Sequence, residues 1–405
     1  MKKTYIKYTQ AIAVWLIILA CFSVNLPTAF MSITSGLFFI FCVISGDYKS
    51  KLERIYQNPG AVIAIVLLTA YGIGLTYSSA PHQEAFSFFL KYDKLLFVPI
   101  IVSLFTSEIQ RKYCINAFLI CSLIVLAISY LKWIGIYPHT DIGQGFSVYK
   151  GRIAGSIIMS FCAYLMLTRA KNTRGSHRLA WLLVSLLAVG NVLFLVNGRT
   201  GQITLATLLI WFSYEHFGSR VIKYWLAILL IGITFHHFNP DYPNSRLTNI
   251  NKELASESKT SGATTAAGLR LEFYKNTLSL IKQHPILGGG TGSLENEYSS
   301  LVAKTNVIYK RVPNPHNQYL LTTQELGLIG LILLLAFWLT HWWQSYKLKN
   351  AEYAMALRGL VITIAVGSLF NSLLLDASEG KFYCLLAGVL LSTFSSNEVS
   401  KHQTK

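Results

Sequence analysis

The chain has 405 residues, of which 53% are hydrophobic and 13% charged, against roughly 25% charged in an ordinary soluble domain. At a mean hydropathy of +0.44 it holds more apolar surface than one water-soluble core can bury, which excludes a soluble enzyme, a disordered chain and a secreted disulfide scaffold. The net charge of +17 is spread between long apolar runs and not gathered in one patch, so it reads as membrane topology and not as nucleic-acid binding.

A helix needs about 20 apolar residues to cross a bilayer. The pattern predicts twelve spans, in chain order 9–28, 30–46, 60–78, 94–107, 114–136, 152–168, 179–197, 200–217, 222–238, 318–345, 358–375 and 380–396. The opening MKKTYIK and the apolar run after it have the shape of a signal peptide, but with many spans behind them they read as a retained first helix. Alternate connections separate by charge. One side carries 19 of the 35 Lys and Arg residues, the short loops and span ends of the other only 7, and the remaining 9 lie in one long segment. The positive-inside rule then puts both termini in the cytoplasm and that segment outside. The organisation expected is nine spans over 1–238, a large periplasmic loop over 239–317 with amphipathic helices, three spans over 318–396 and a cytoplasmic tail over 397–405. The fold class is therefore an all-α polytopic membrane protein. The six cysteines lie in or beside apolar runs and none forms a CxxC pair, so neither a zinc site nor a disulfide framework is indicated.

Within the loop, the run Gly268–Lys282 (GLRLEFYKNTLSLIK) sorts at 100° per residue. Glu272, Lys275, Ser279 and Lys282 share one face; Phe273, Tyr274, Thr277 and Ile281 share the other, with Arg270 at its centre. A cation in an apolar stripe needs an anion or a wet cavity, or else snorkels to an interface. Arg199 lies in the NGRTG turn, on the side poor in positive charge, where flanking glycines let the backbone come close to a neighbour. The planar guanidinium fork suits phosphate, although an arginine at a helix end also anchors lipid headgroups. Lys91, Lys94, Lys150 and Arg152 have the same character, with headgroup contact the simpler reading. In VPNPHNQY, Asn314 is placed to cap the tenth span and Pro315 to start it. His316 would then sit in the first helical turn, where the dipole keeps an imidazole neutral and able to accept a proton; a surface histidine with no chemistry is the alternative. No DxD, GxSxG, Walker loop or HExxH occurs, so no metal site is supported. The glycine cluster 288–292 reads as a flexible or close-packed turn. Glu325, inside a span, reads as the partner of a buried base or as a helix–helix contact.

Three segments, NGRTGQ at 197–202, GLRLEFYKNTLSLIKQHPILGGGTGS at 268–293 and PNPHNQYLLTTQELGLIG at 313–330, resemble the O-antigen ligase/polymerase superfamily, and within it the lipopolysaccharide O-antigen ligases. The resemblance implies a fold similar to membrane-embedded C-class glycosyltransferases and a site on the periplasmic face of a Gram-negative inner membrane. O-antigen on undecaprenyl diphosphate would be the donor and a sugar hydroxyl of lipid A-core the acceptor, with inversion and with no cofactor or metal. Membrane lipids are implied partners; nucleic acid is not. Arg199 and Arg270 match the family's diphosphate-binding arginines and His316 its catalytic histidine, with Lys91, Lys94, Arg152, Tyr274 and Asn317 as further candidates for substrate contact. The O-antigen polymerases share the donor. A protein O-oligosaccharyltransferase would carry extra C-terminal sequence. A polysaccharide flippase would need no histidine base and would show internal repeats.

Overall fold

A computed structural model of the chain describes residues 2–138, 144–227, 266–303, 307 and 309–392. Most of the expected span 222–238, the first part of the long loop to residue 265 and the tail 397–405 lie outside the described residues. Every regular element among the described residues is helical.

The helices follow from local chemistry at their ends. In the first half, α1 (Lys2–Ser23) packs on α2 (Thr28–Ile44) and on α7 (Glu108–Trp133). The α7 start is a capping box of Ser107 and Gln110, which satisfies two orphan N–H groups at once. Asn58 caps α4 (Pro59–Gly74) by accepting from Ala61 N at 3.2 Å, with Pro59 in the first turn. Between α2 and α4 the chain makes a nine-residue helix, α3 (Tyr48–Tyr56), bent 115° from α2. The hydropathy pattern did not predict it. It is held from beneath by the buried Lys51, whose ammonium donates to Cys42 O and Ser45 Oγ, both at 2.6 Å.

Residues 94–107, expected as one span, instead hold the end of a 3-10 stretch (Leu90–Leu96) that follows α5 (His82–Phe89), the eight-residue α6 (Phe97–Leu104) and the turn before α7. At 1.5 Å per residue α6 is too short to cross a bilayer alone. Six described helices are long and apolar enough to do so, and the bent α2–α3 pair makes a seventh. The central helix is α8 (Arg152–Asn172), packed against α9 (Gly175–Gly190), α10 (Arg199–Phe217) and α14 (Ala351–Gly367). It is buried nearly all round, as is α15 (Ala377–Leu391). By contrast α9 turns Leu179, Leu183, Leu186 and Leu187 outward, a surface that water would not tolerate and lipid would. The chain is a multi-pass membrane protein.

The remaining elements are α11 (Ala266–Gln283), α12 (Leu294–Val302) and α13 (Gln318–Ser345). The last is broken at Gly327, whose φ of 64° and ψ of −160° no residue with a Cβ adopts readily. The turn after α11 fills this break: Gly289 N donates to Gln324 O (2.8 Å), Gly290 N to Glu325 O (2.9 Å) and Leu328 N to Pro285 O (2.8 Å). The freed helix groups are thus paired with backbone. The glycine cluster is a packed turn, and Glu325 is a helix–loop contact, accepting from Gly292 N at 2.7 Å and Tyr92 OH at 3.0 Å.

Candidate active site

Helices α8 and α10 both begin at one cavity of about 390 Å³ lined by Arg152, Arg199, Arg270, Thr200 and Tyr274 among others. Arg152 and Arg199 are each the first helical residue after a glycine N-cap that offers no side-chain cap, Gly151 and Gly198. Two helix N-termini therefore open beside the arginines, the first N–H of α8 taken by Gln144 Oε1 at 2.9 Å, and the positive ends of both helix dipoles favour an anion there. The glycines beside Arg199 serve packing and not ligand approach. A Cβ at Gly198 or Gly201 would run into Ser156 of α8, so they let α10 lie against α8 and set the two arginines side by side.

Arg270 enters from α11. As expected, that helix buries Phe273 and Thr277. Burial pushes the Arg270 guanidinium below its usual value; Tyr274 opposes the shift and the neighbouring Arg199 and Arg152 add to it. Three cations thus converge, and no carboxylate lines the cavity among the described residues. An entering phosphate would relieve that repulsion and take charge-assisted hydrogen bonds from more than one side.

His316 stands next to this cavity, in a position that differs from the expected one. The cap of α13 is Asn317, not Asn314: its Oδ1 accepts from Leu320 N at 3.0 Å. His316 therefore precedes the helix, with a left-handed φ of 56°. Asn314 holds this turn through a local side-chain bond, its Oδ1 accepting from His316 N at 2.8 Å and from Ser372 Oγ at 2.7 Å. Tyr274 OH donates to a pair of carbonyls, His316 O and Leu369 O, each at 3.1 Å. The imidazole stacks near Phe273, with ring centroids 6.4 Å apart. Burial, and then Arg270, push it below its ordinary 6.5, against a hydrogen bond with the Asn371 side chain. The neutral form is favoured as expected, by burial and a cation in addition to any dipole.

Comparison with known proteins bears on this region. Residues 182–335 match a family model described as O-antigen ligase. That stretch spans α10, α11, the His316 turn and the first part of α13, so it holds Arg199, Arg270 and His316 together. That stretch is similar to the O-antigen ligase family. A relative from Haemophilus influenzae, described as an uncharacterized protein, is 24% identical over 251 residues, covering 61% of this chain. The chain matches 63% of that relative's length.

Outside the family segment, Arg152 joins the arginine cavity. Lys91 and Lys94 do not. Lys91 lies over the Phe88 ring, 4.7 Å from its centroid. Lys94 is 2% exposed and spends its ammonium on Leu375 O and Asp376 O, at 2.9 and 3.0 Å. Asn317 has both ends of its amide committed, Nδ2 donating to Leu369 O at 3.0 Å. The matched segment also leaves out one participant, Asn371, which lies in the turn after α14. Its Nδ2 donates to Thr200 Oγ1 at 3.2 Å, which leaves its oxygen for the imidazole. Residues 358–375 read as one span in sequence, so nothing marked this asparagine. The helix ends at Gly367, where a Cβ would strike Leu373 of the returning turn.

Proposed function

We propose that this chain is a lipopolysaccharide O-antigen ligase, acting on the periplasmic face of a Gram-negative inner membrane. The observation that carries the reading is the convergence of three arginines on one cavity beside a half-buried, neutral-leaning histidine. The donor would be a glycan on undecaprenyl diphosphate and the acceptor a sugar hydroxyl of lipid A-core. A diphosphate leaves readily once its developing charge is met, and Arg199, Arg270 and Arg152 with two helix N-termini supply that charge. The hydroxyl is a poor nucleophile until a base takes its proton, which His316 does, while Asn371 orients the ring through its other nitrogen. The oxygen attacks the anomeric carbon, the bond to the diphosphate breaks with its electron pair, and the proton goes to His316, giving inversion. Since guanidinium groups stand where a metal ion would neutralise a diphosphate, transfer should survive EDTA. The deciding experiment is deletion of the gene followed by separation of lipid-linked polymer from glycan on lipopolysaccharide. Accumulated full-length polymer with bare lipid A-core supports a ligase. Loss of chain length instead would mean a polymerase.

A further inference from the structure

A second cavity system lies at the same end of the molecule. One chamber of about 490 Å³ is lined by Phe88, Lys91, Asp93, Pro313, Asp376 and Lys381 among others. A neighbouring chamber of about 500 Å³ shares Phe88, Lys91 and Pro313 with it, so the two form one trench. The trench and the arginine cavity share no lining residue. The turn after α14 separates them, Phe370 facing the arginines and Leu375 with Asp376 facing the trench. His316 is tied to both sides. Its carbonyl accepts from Tyr274, which lines the arginine cavity, and its N–H donates to Asn314, which lines the trench.

We propose that this trench is the acceptor subsite and binds a saccharide, resting on the ligase reading above. In a direct displacement the hydroxyl enters opposite the departing diphosphate. With the diphosphate among the arginines, the hydroxyl comes from the other side of His316, where the trench is. Its lining suits a sugar. Asp93 and Asp376 accept from hydroxyls, and Lys91 and Lys381 donate to ring and hydroxyl oxygens. Lys94 is a positioning residue, its bonds to Leu375 O and Asp376 O fixing one wall.

Calorimetry on the full chain in lipid nanodiscs tests this, with delipidated core oligosaccharide lacking O-antigen as the probe and no donor present. Lys91 and Asp93 are exposed, so Lys91→Ala and Asp93→Asn should fold. Together they should weaken oligosaccharide binding by about tenfold or more, the loss of contacts to two charged groups. The Arg199→Ala, Arg270→Ala protein should bind the oligosaccharide as the unaltered protein does. Unchanged binding in the trench variant, loss in the arginine variant instead, or no binding by the unaltered protein would each overturn the subsite. The ligase reading fails separately, if the unaltered protein transfers no glycan from a diphosphate-linked donor.

Discussion

His316 owes its place to three neighbours that fix backbone and ring separately: Asn314 bonds its N–H, Tyr274 its carbonyl, and Asn371 one imidazole nitrogen. A left-handed φ at a non-glycine residue costs free energy and persists where its surroundings over-determine it. If His316 is the base, His316→Ala should lower the transfer rate by about 10²–10⁴-fold, in a purified assay with donor binding retained. The pH dependence has a definite sign. A base works while unprotonated, so the rate holds above its pKa and falls as acid charges the ring. Because burial and Arg270 depress that pKa, the fall should begin below the ordinary 6.5. A rate–pH profile that turns down above 6.5 would contradict it. The arginines make a second prediction. Each charge-assisted contact is worth roughly 1.5–3 kcal/mol, so Arg199→Ala or Arg270→Ala should weaken donor use about ten- to a hundredfold. The double variant should lose less than the product of the two, since both hold one anion; donor titrations read this directly. Arg199, Arg270 and His316 were legible because a cation or a histidine in a loop between apolar runs stands out. Asn371 was not, since an asparagine at a helix end has many uses and its partner Thr200 is 171 residues away in sequence.

At the scale of elements, the break in α13 decides where the loop sits. Gly327 has a backbone conformation that only glycine adopts without strain, and a Cβ there would meet the Ile286 carbonyl. Gly327→Ala should therefore destabilise the protein by about 1–3 kcal/mol, seen as a lower unfolding midpoint in detergent. It should reduce activity as well, because the turn docked there anchors α11 and hence Arg270. Gly36 is the control: nothing lies within 4 Å of a Cβ there, so Gly36→Ala should leave both unchanged. The amphipathic face of α11 was readable in part from its 100° periodicity: the structure buries Phe273 and Thr277, leaves Arg270, Tyr274 and Ile281 half-buried, and buries Leu280, which the pattern did not select. The break was not readable, since the QELGLIG run gives no sign of the long-range loop that pairs its open groups. The cap of α13 went wrong by three residues for a related reason. Asn314 and Asn317 both suit a helix start, and the choice fell to the turn after α14, which bonds Asn314 through Ser372 and takes a bond from Asn317 at Leu369 O.

For the whole molecule, hydropathy made the membrane class plain, while the number of crossings was harder to read. Short pieces such as α6, and bends such as that between α2 and α3, depend on packing that no hydropathy window sees. The orientation is better constrained, because charge and geometry meet on α8. Its 21 residues extend about 31 Å, the thickness of a hydrocarbon core. It begins with Arg152 at the arginine cavity and ends with Arg169 and Lys171, on the side richer in positive charge. If 19 against 7 basic residues set the orientation, then Lys171 faces the cytoplasm and the cavity with α11 faces outward. Cysteine labelling tests this cleanly, since all six native cysteines are buried and free. Lys275 and Lys171 are both exposed, so each tolerates replacement. With a membrane-impermeant maleimide on intact cells permeabilised only at the outer membrane, Lys275→Cys should react at once. Lys171→Cys should react only after the inner membrane is opened. The opposite pattern would turn the molecule over, put the three arginines in the cytoplasm and remove a periplasmic glycan transfer from consideration.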